Sequence, residues 1–335
     1  MELNISGEID DIIKEYSLDI NERSDKKDNS FENSDFSDDY SDDETSDELI
    51  NNYLSIIKIT PLSISAQSAK AKMTLTFDLY ILATLIAKSI KENKNDNFLI
   101  LGVLYKDIHE GIIKKPKSRK KGVFPNNMAL LIKSPMGTNK NINMKIFTGK
   151  IKSSISMVGC KIKEDGISAI HILEQYILKQ KELFTNYSIS DFKINEFETT
   201  CVISNYSIKI KDEKIKLKFN RNKLFNFLYK KYGYLFISYD PVVYVAVKIG
   251  FYFNSNKNIQ NGVCDCLNNI CTLYKNSKGN GNGIGECKKV TIAIFESGNI
   301  VITGGRNIFQ TKSAYEYINT ILINNLKYFS FISKD

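Results

Sequence analysis

The strongest constraint on this chain is that it repeats itself. Ser153-Ser154-Ile155-Ser156-Met157-Val158-Gly159-Cys160-Lys161 aligns with Gly298-Asn299-Ile300-Val301-Ile302-Thr303-Gly304-Gly305-Arg306 at an offset of 145 residues. The same offset carries Ser168-Ala169 onto Ser313-Ala314 and Leu173 onto Ile318. Self-similarity at that distance points to two copies of one supersecondary unit, and so to two halves that fold alike. Each copy reads as a short alternating strand, a Gly turn followed by a basic residue, and an amphipathic helix. The first helix places Ile170, Leu173, Ile177 and Leu178 on one stripe; the second does so with Tyr315, Ile318, Leu322, Leu326 and Phe329.

Another strand ending in Phe precedes each unit, Met144-Lys145-Ile146-Phe147 and Ile292-Ala293-Ile294-Phe295, here at an offset of 148. Farther upstream, the strand Phe98 to Leu104 is set against Tyr244 to Ile249. A helix opens each half, roughly Phe77 to Ile90 and Asn222 to Tyr232, the latter with Leu224, Phe227 and Leu228 as its stripe. The order strand, helix, several antiparallel strands, long helix predicts an α+β fold of two pseudo-symmetric repeats, with helices on one sheet face and the other face open. The first repeat is expected over residues 51–185 with an insertion at about 108–126, and the second over 186–335 with an insertion at about 254–288.

Alternation assigns the faces. Ile292, Ile294, Ile300 and Ile302 should lie under the helices, with Ala293, Phe295, Val301 and Thr303 on the open side. In the first half Ile146, Ile155 and Met157 face the helices, and Lys145, Phe147, Ser156 and Val158 face outward. An open sheet face with a large aromatic at its edge is a binding surface in outline. The alternative reading of these Phe residues is an ordinary sheet core.

Charge suggests what such a surface would bind. The net charge of +8 averages two unlike parts: residues 1–50 hold 18 acids against 4 bases, and residues 51–335 hold 42 bases against 20 acids. A basic body of that size points to a polyanion, most simply nucleic acid. Residues 24–48 mix Ser, Asp and Glu with Phe31, Phe36 and Tyr40 and show no periodicity, so they should remain a disordered acidic tail. That tail is either a solvating segment or an internal mimic of DNA that competes for the basic body. With 42% hydrophobic residues, 19 Phe and 18 Tyr, the body can bury a sizeable core, and a wholly disordered chain is excluded. The longest apolar run, Leu79 to Ala87, is far short of the ~20 residues that cross a bilayer, and the acidic start is unlike a secretory signal. No membrane partner is expected. His109 and His171 are the only histidines, which leaves little for His-based catalysis.

The stretch V-T-I-A-I-F-E-S-G-N-I-V-I-T-G-G-R, Val290 to Arg306, followed by Ala314-Tyr315-Glu316, resembles the signature of the TATA-box-binding protein family: I-F-x-S-G-K, then a T-G-A-K turn, then a helix. Tyr239-Asp240-Pro241 through Tyr244 is similar to that family's Y-E-P-x-x-F segment, and the pseudo-twofold repeat is also the family's. The resemblance spans roughly residues 55–330 and is most specific in the second half. The long insertions and the Asn/Lys/Ile-rich composition look most like divergent relatives encoded by giant nucleocytoplasmic large DNA viruses.

The resemblance implies a saddle that sits in a widened minor groove of A/T-rich double-stranded DNA, with aromatic wedges partly unstacking base steps. Phe295 and Tyr244 fall on the two wedges of the second half; Phe147 falls on one wedge of the first, with Phe98 as its companion. Val301, Thr303 and Val158 match groove contacts, Asn205 matches a central Asn, and Arg306 and Lys161 follow the turns where phosphate-facing bases are expected. No Asn of the first half mirrors Asn205; Ser65 and Gln67 stand nearest. Val158 replaces a Thr and Tyr244 a Phe, which bears on strict TATA preference more than on DNA binding itself.

Three further motifs have alternative readings. Lys114 to Lys121 is a basic loop that contacts phosphate or solvent, or a nuclear localisation signal. Cys264, Cys266, Cys271 and Cys287 could bind a tetrahedral Zn²⁺ or remain thiols in a mobile loop, while Cys160 and Cys201 read as buried apolar residues. The Gly-rich stretch 279–285 is followed by a strand rather than by Gly-Lys-Ser/Thr and a helix, so it reads as a loop and not a phosphate cradle.

The expectation is thus a non-enzymatic, DNA-bending transcription initiation factor that requires no cofactor and docks transcription factors and RNA polymerase machinery on its convex helices. The alternatives are an interaction module of the same fold that has lost specific DNA binding, or a nucleic-acid grip for repair or nuclease machinery. A viral origin would place it in the host cytoplasm, the viral factory or the virion; a cellular one, in the nucleus.

Overall fold

The computed structural model describes residues 56–93, 98–114, 127–233, 235–264, 266, 279 and 281–334. The expected acidic tail, the basic run beyond Lys114 and Cys271 lie outside the described residues. The first half runs β1 (Ile57–Ile59), β2 (Ser63–Met73), α1 (Leu79–Glu92), β3 (Ile100–Tyr105), β4 (Ile108–Gly111), β5 (Asn127–Lys133), β6 (Asn141–Phe147), β7 (Ser153–Cys160) and α2 (Lys163–Leu178). The second runs β8 (Ile194–Ile210), β9 (Ile215–Phe219), α3 (Arg221–Tyr232), β10 (Phe236–Asp240), β11 (Tyr244–Phe253), β12 (Lys288–Ile294), β13 (Asn299–Gly305), α4 (Ile308–Ile323) and β14 (Ser330–Lys334).

Among the described residues, one sheet is ordered β10-β11-β12-β13-β8-β2-β7-β6-β5-β3-β4, with β1 also pairing β8. The repeat is visible in that order. Strands β8, β13, β12, β11 and β10 mirror β2, β7, β6, β5 and β3, and β2 pairs antiparallel with β8 across the pseudo-twofold. Among the described residues strand β4 has no mate in the second half, and β9 pairs β14 in a small separate sheet.

The two cores lie on one face, as alternation requires. Ile292, Ile294, Ile300 and Ile302 are fully buried against Ala314, Ile318 and Leu322 of α4. Ile146, Ile155 and Met157 are buried with Ala169, Leu173 and Ile177 of α2. Each fully buried Ile contributes ~2 kcal/mol of hydrophobic stabilisation, so the helices are fixed to this face and the other face is left to solvent or a ligand.

Helix starts follow from local chemistry. Asp78 caps α1 by accepting from Tyr80 N at 2.7 Å. Asp165, in the first turn of α2, accepts from Lys161 N at 2.7 Å, Ile162 N at 3.0 Å and Thr138 Oγ1 at 2.8 Å, and also from Ser134 Oγ. Burial raises the Asp165 pKa, but these four donors outweigh it and hold the carboxyl below its ordinary range.

Three expectations are corrected, the first two by strand pairing. Phe98 to Leu104 does not mirror Tyr244 to Ile249: Met128 faces Ile146 as Val247 faces Ile294, so β5 is the mate of β11, and β3 is the mate of β10. The two insertions therefore do not match, because 108–126 precedes the mate of β11 and 254–288 follows β11 itself. The last helix is also shorter than its apolar stripe. It ends at Ile323, where Asn324 and Asn325 interrupt it; Leu326 lies in a 3-10 turn, and Phe329 packs edge-on to Phe219 at 5.6 Å.

Candidate nucleic-acid interface

The open face is built of cross-strand rows. In the second half one row runs Lys248, Ala293, Val301, Asn205, Ser63 across β11, β12, β13, β8 and β2. The next runs Gly250, Thr291, Thr303, Ile203, Ala66. Apart from Lys248 and Ile203 these residues are small and uncharged, with Val301 and Thr303 half-buried and Asn205 exposed. Gly250 keeps the floor low, since a Cβ there would meet the Lys289 side chain at 2.8 Å. Burial lowers the Lys289 pKa, and its ammonium lies 3.8 Å from the centroid of the Phe236 ring.

Phe295 and Tyr244 stand together at one end of this surface, ring centroids 5.9 Å apart at 64°. Lys248 Nζ lies 4.0 Å from the Tyr244 centroid. Arg221, the first residue of α3, ties both segments down: Nη1 donates to Val245 O at 2.7 Å and Nη2 lies 3.1 Å from Glu296 Oε2. Val242 and Val243, in the turn before Tyr244, are 94% and 77% exposed, so the apolar tip extends beyond the two rings. A shallow depression lined by Asn205, Phe295, Val301, Thr60, Pro61 and Ser63 adjoins the pair. The structure thus gathers Phe295, Tyr244, Asn205, Val301 and Thr303 on one surface.

The first half differs. The mate of the Val301 row is Ala129, Lys145, Ser156, Lys70, Glu198. Two lysines and a glutamate thus replace an alanine, an asparagine and a serine. The mate of the Thr303 row is Leu131, Asn143, Val158, Ser68, Cys201, in which Val158 is 47% exposed. Phe147 is half-buried at the end of β6, opposite Asn127.

Several assignments change. Phe98 is not a wedge: it packs against the core under the helices, its ring 6.1 Å from that of Tyr176 on α2. Register places the mate of Tyr244 at position 125, outside the described residues. The mate of Asn205 is Lys70, not Ser65 or Gln67, and the Gln67 amide is buried and donates to Lys161 O at 3.2 Å. The Lys161 ammonium donates to Ile64 O rather than standing free for phosphate. Arg306 Nη1 lies 3.2 Å from Glu198 Oε1, whose other oxygen is 2.9 Å from Lys70 Nζ.

Sequence reasoning missed this acidic bridge. Glu198, and Glu196 with Lys72 at 2.5 Å, put two carboxylates among the lysines of the open face. The hydrogen bond from Lys70 holds the Glu198 carboxyl below its ordinary range, and that from Lys72 does the same for Glu196. Glu196 adopts a left-handed φ of 53° where the β2–β8 register shifts, a conformation that an L residue other than Asn or Asp rarely takes. Alternation in E-F-E could have signalled the pair; their partners required the register.

Of the four clustered cysteines, Cys264, Cys266 and Cys287 come together beyond the ends of β11 and β12, their sulfurs all within 4.8 Å of one another. Burial, reinforced by the charge of Asp165, pushes the Cys160 thiol up to about 11, consistent with a buried apolar role.

Comparison with known proteins bears on what this surface is. The family model for "Transcription factor TFIID (or TATA-binding protein, TBP)" matches residues 284–325, which hold β12, β13 and α4. A protein of Acanthamoeba polyphaga mimivirus described as "TATA-box-binding protein-like" is 30% identical over 227 residues, 62% of this chain and 50% of the viral one. The chain thus spans half the length of that relative. The solved structure of Methanococcus jannaschii TBP is similar over 79% of this chain and 99% of its own, at 14% identity and a TM-score of 0.38. With the signature residues seated on a twofold-repeated α+β sheet and a viral relative aligned across 62% of the chain, the protein is similar to divergent, TBP-like proteins.

Proposed function

We propose that the open face binds the minor groove of A/T-rich double-stranded DNA and bends it to initiate transcription, with no catalytic step. The observation that carries this reading is the second half's row of Ala293, Val301 and Asn205, small and uncharged beside Lys248, with Tyr244 and Phe295 held together at its end. The minor groove offers a nearly featureless A·T edge that small side chains can line, and a paired aromatic tip can enter an unstacked step. The division of labour is unequal: the second half lines the groove and wedges it, and the first half contributes charge through Lys145, since Lys70 and Lys72 are paired with Glu198 and Glu196. The helix face, opposite the DNA, docks the transcription machinery.

A fluorescence bending assay on A/T-rich and G/C-rich duplexes tests this. Bending of the A/T-rich duplex, lost in Phe295→Ala with the fold intact, supports the reading. Absence of bending together with salt-independent binding sinks it. The neutralised lysines beside Glu196 and Glu198 favour one competing reading, an interaction module without DNA binding, and that second outcome would select it.

A further inference from the structure

We propose that Cys264, Cys266 and Cys287 are thiolate ligands of a zinc ion that fastens the β11–β12 connection to the end of the sheet. Tetrahedral zinc with Zn–S bonds of about 2.3 Å sets its sulfurs roughly 3.8 Å apart. The three sulfurs here, all within 4.8 Å of one another, need only close inward by about an ångström. A donor set of sulfur alone selects a soft d¹⁰ ion over magnesium or calcium.

Backbone geometry already favours negative charge on these sulfurs. Cys266 N donates to Cys264 Sγ at 3.3 Å, and Cys287 N donates to Cys266 Sγ at 3.4 Å. Such N–H···S contacts stabilise thiolates and orient ligands around a metal. Cys264 and Cys287 are buried beside Tyr252, only 1% exposed, and Cys266 is half-buried, so two of the three sulfurs are shielded from water.

The connection has a physical need for such a fastening. Among its described residues the connection is stitched to itself by polar bonds, Asn254 exchanging hydrogen bonds with both the N–H and the carbonyl of Gly285 at 3.2 Å and Ser255 N donating to Gly283 O at 2.7 Å, and Gln310 of α4 ties it to the body by donating to Asn282 O at 2.8 Å. Polar stitching of this kind contributes ~1 kcal/mol per bond, whereas a structural zinc supplies folding free energy directly. Cys266 and Cys287 are 21 residues apart in sequence, so one ion between them closes most of the connection into a loop.

Metal analysis of the full chain, purified under reducing conditions without chelator, should find one zinc per chain. Cobalt exchange should produce the thiolate-to-cobalt charge-transfer band of a sulfur-rich tetrahedral site. Cys264→Ser and Cys287→Ser should each reduce the metal to below half an equivalent, while Cys201→Ser, outside the cluster, should keep it. Because the buried variants can fail to fold, the wild-type cobalt spectrum stands as an independent readout. Less than half an equivalent of zinc in the wild type, or a mass deficit showing a disulfide within the trio, overturns the proposal.

Discussion

Lys70 Nζ lies 2.9 Å from Glu198 Oε2 on the central strand pair, at the position where the repeat places Asn205 opposite Ser63. Glu198, shared between Lys70 and Arg306, offsets one unit of the positive charge that would otherwise face a phosphate. Glu198→Gln should therefore raise affinity for A/T-rich duplex by roughly 3- to 10-fold at low salt and steepen the salt dependence by about one phosphate contact. Titration of binding against salt checks it; an unchanged slope would mean that Lys70 and Arg306 do not face DNA.

The pH dependence follows from the same carboxylates. Lys70 and Lys72 hold Glu198 and Glu196 below their ordinary value of 4.5. Their contribution to stability is thus fully present above about pH 4.5 and lost as pH falls through the lower folded values. Affinity for DNA should be insensitive to these groups from neutral pH down to that point. Binding curves at fixed ionic strength across this range test the claim.

Tyr244 and Phe295 touch each other edge-to-face, so removing either exposes the other without opening the core. Phe295→Ala and Tyr244→Ala should each reduce bending severely and affinity by about 10-fold, in line with the loss of a ~1–3 kcal/mol stacking contact. Their melting temperatures should stay near wild type. Phe147→Ala should cost less bending than Phe295→Ala.

Arg221 positions those rings without belonging to the open face. Its guanidinium spans Val245 O at 2.7 Å and Glu296 at 3.1 Å, joining the starts of β11 and of the turn after β12. Arg221→Ala should lower stability by only ~1 kcal/mol yet broaden the distribution of bend angles. Arg221→Lys, which cannot span both sites, should rescue stability better than bending. Single-molecule fluorescence resolves the two effects.

Asp165 anchors α2 through four donors in a buried site. Asp165→Asn should destabilise the protein by ~2 kcal/mol, the scale of a lost cap plus charge-assisted bonds. Because the folded carboxyl sits below its ordinary value of 3.8, the wild type should lose this contribution as pH falls through that depressed value, and the variant should show none of that slope. Denaturant midpoints at several acidic pH values compare the two.

Much of the fold was legible because periodicity and repeat reinforced each other. Ile300 and Ile302 alternate, align with Ile155 and Met157, and precede an amphipathic helix in both copies. What escaped was register, a non-local quantity. Phe98 resembles Tyr244 in sequence because both open apolar stretches, but the first half has two such strands, β3 and β5, and only pairing shows which one adjoins β6. Alternation in Ala69-Lys70-Ala71-Lys72-Met73 shows that the lysines face outward; that Lys70 mirrors Asn205 depends on the shifts along β2 and β8. The cysteine spacing pointed to a cluster, and the fold selected which thiols meet within the described residues.

The inequality at the pseudo-twofold has one more consequence. The sugar-phosphate frame of a duplex is itself nearly two-fold about any groove point, so a protein with equal halves would settle on it in either direction. Here one side of the axis presents Lys70 against Glu198 and the other Asn205 against Ser63. Bound to DNA, the two directions would differ in energy, giving the complex a head and a tail before any other factor arrives.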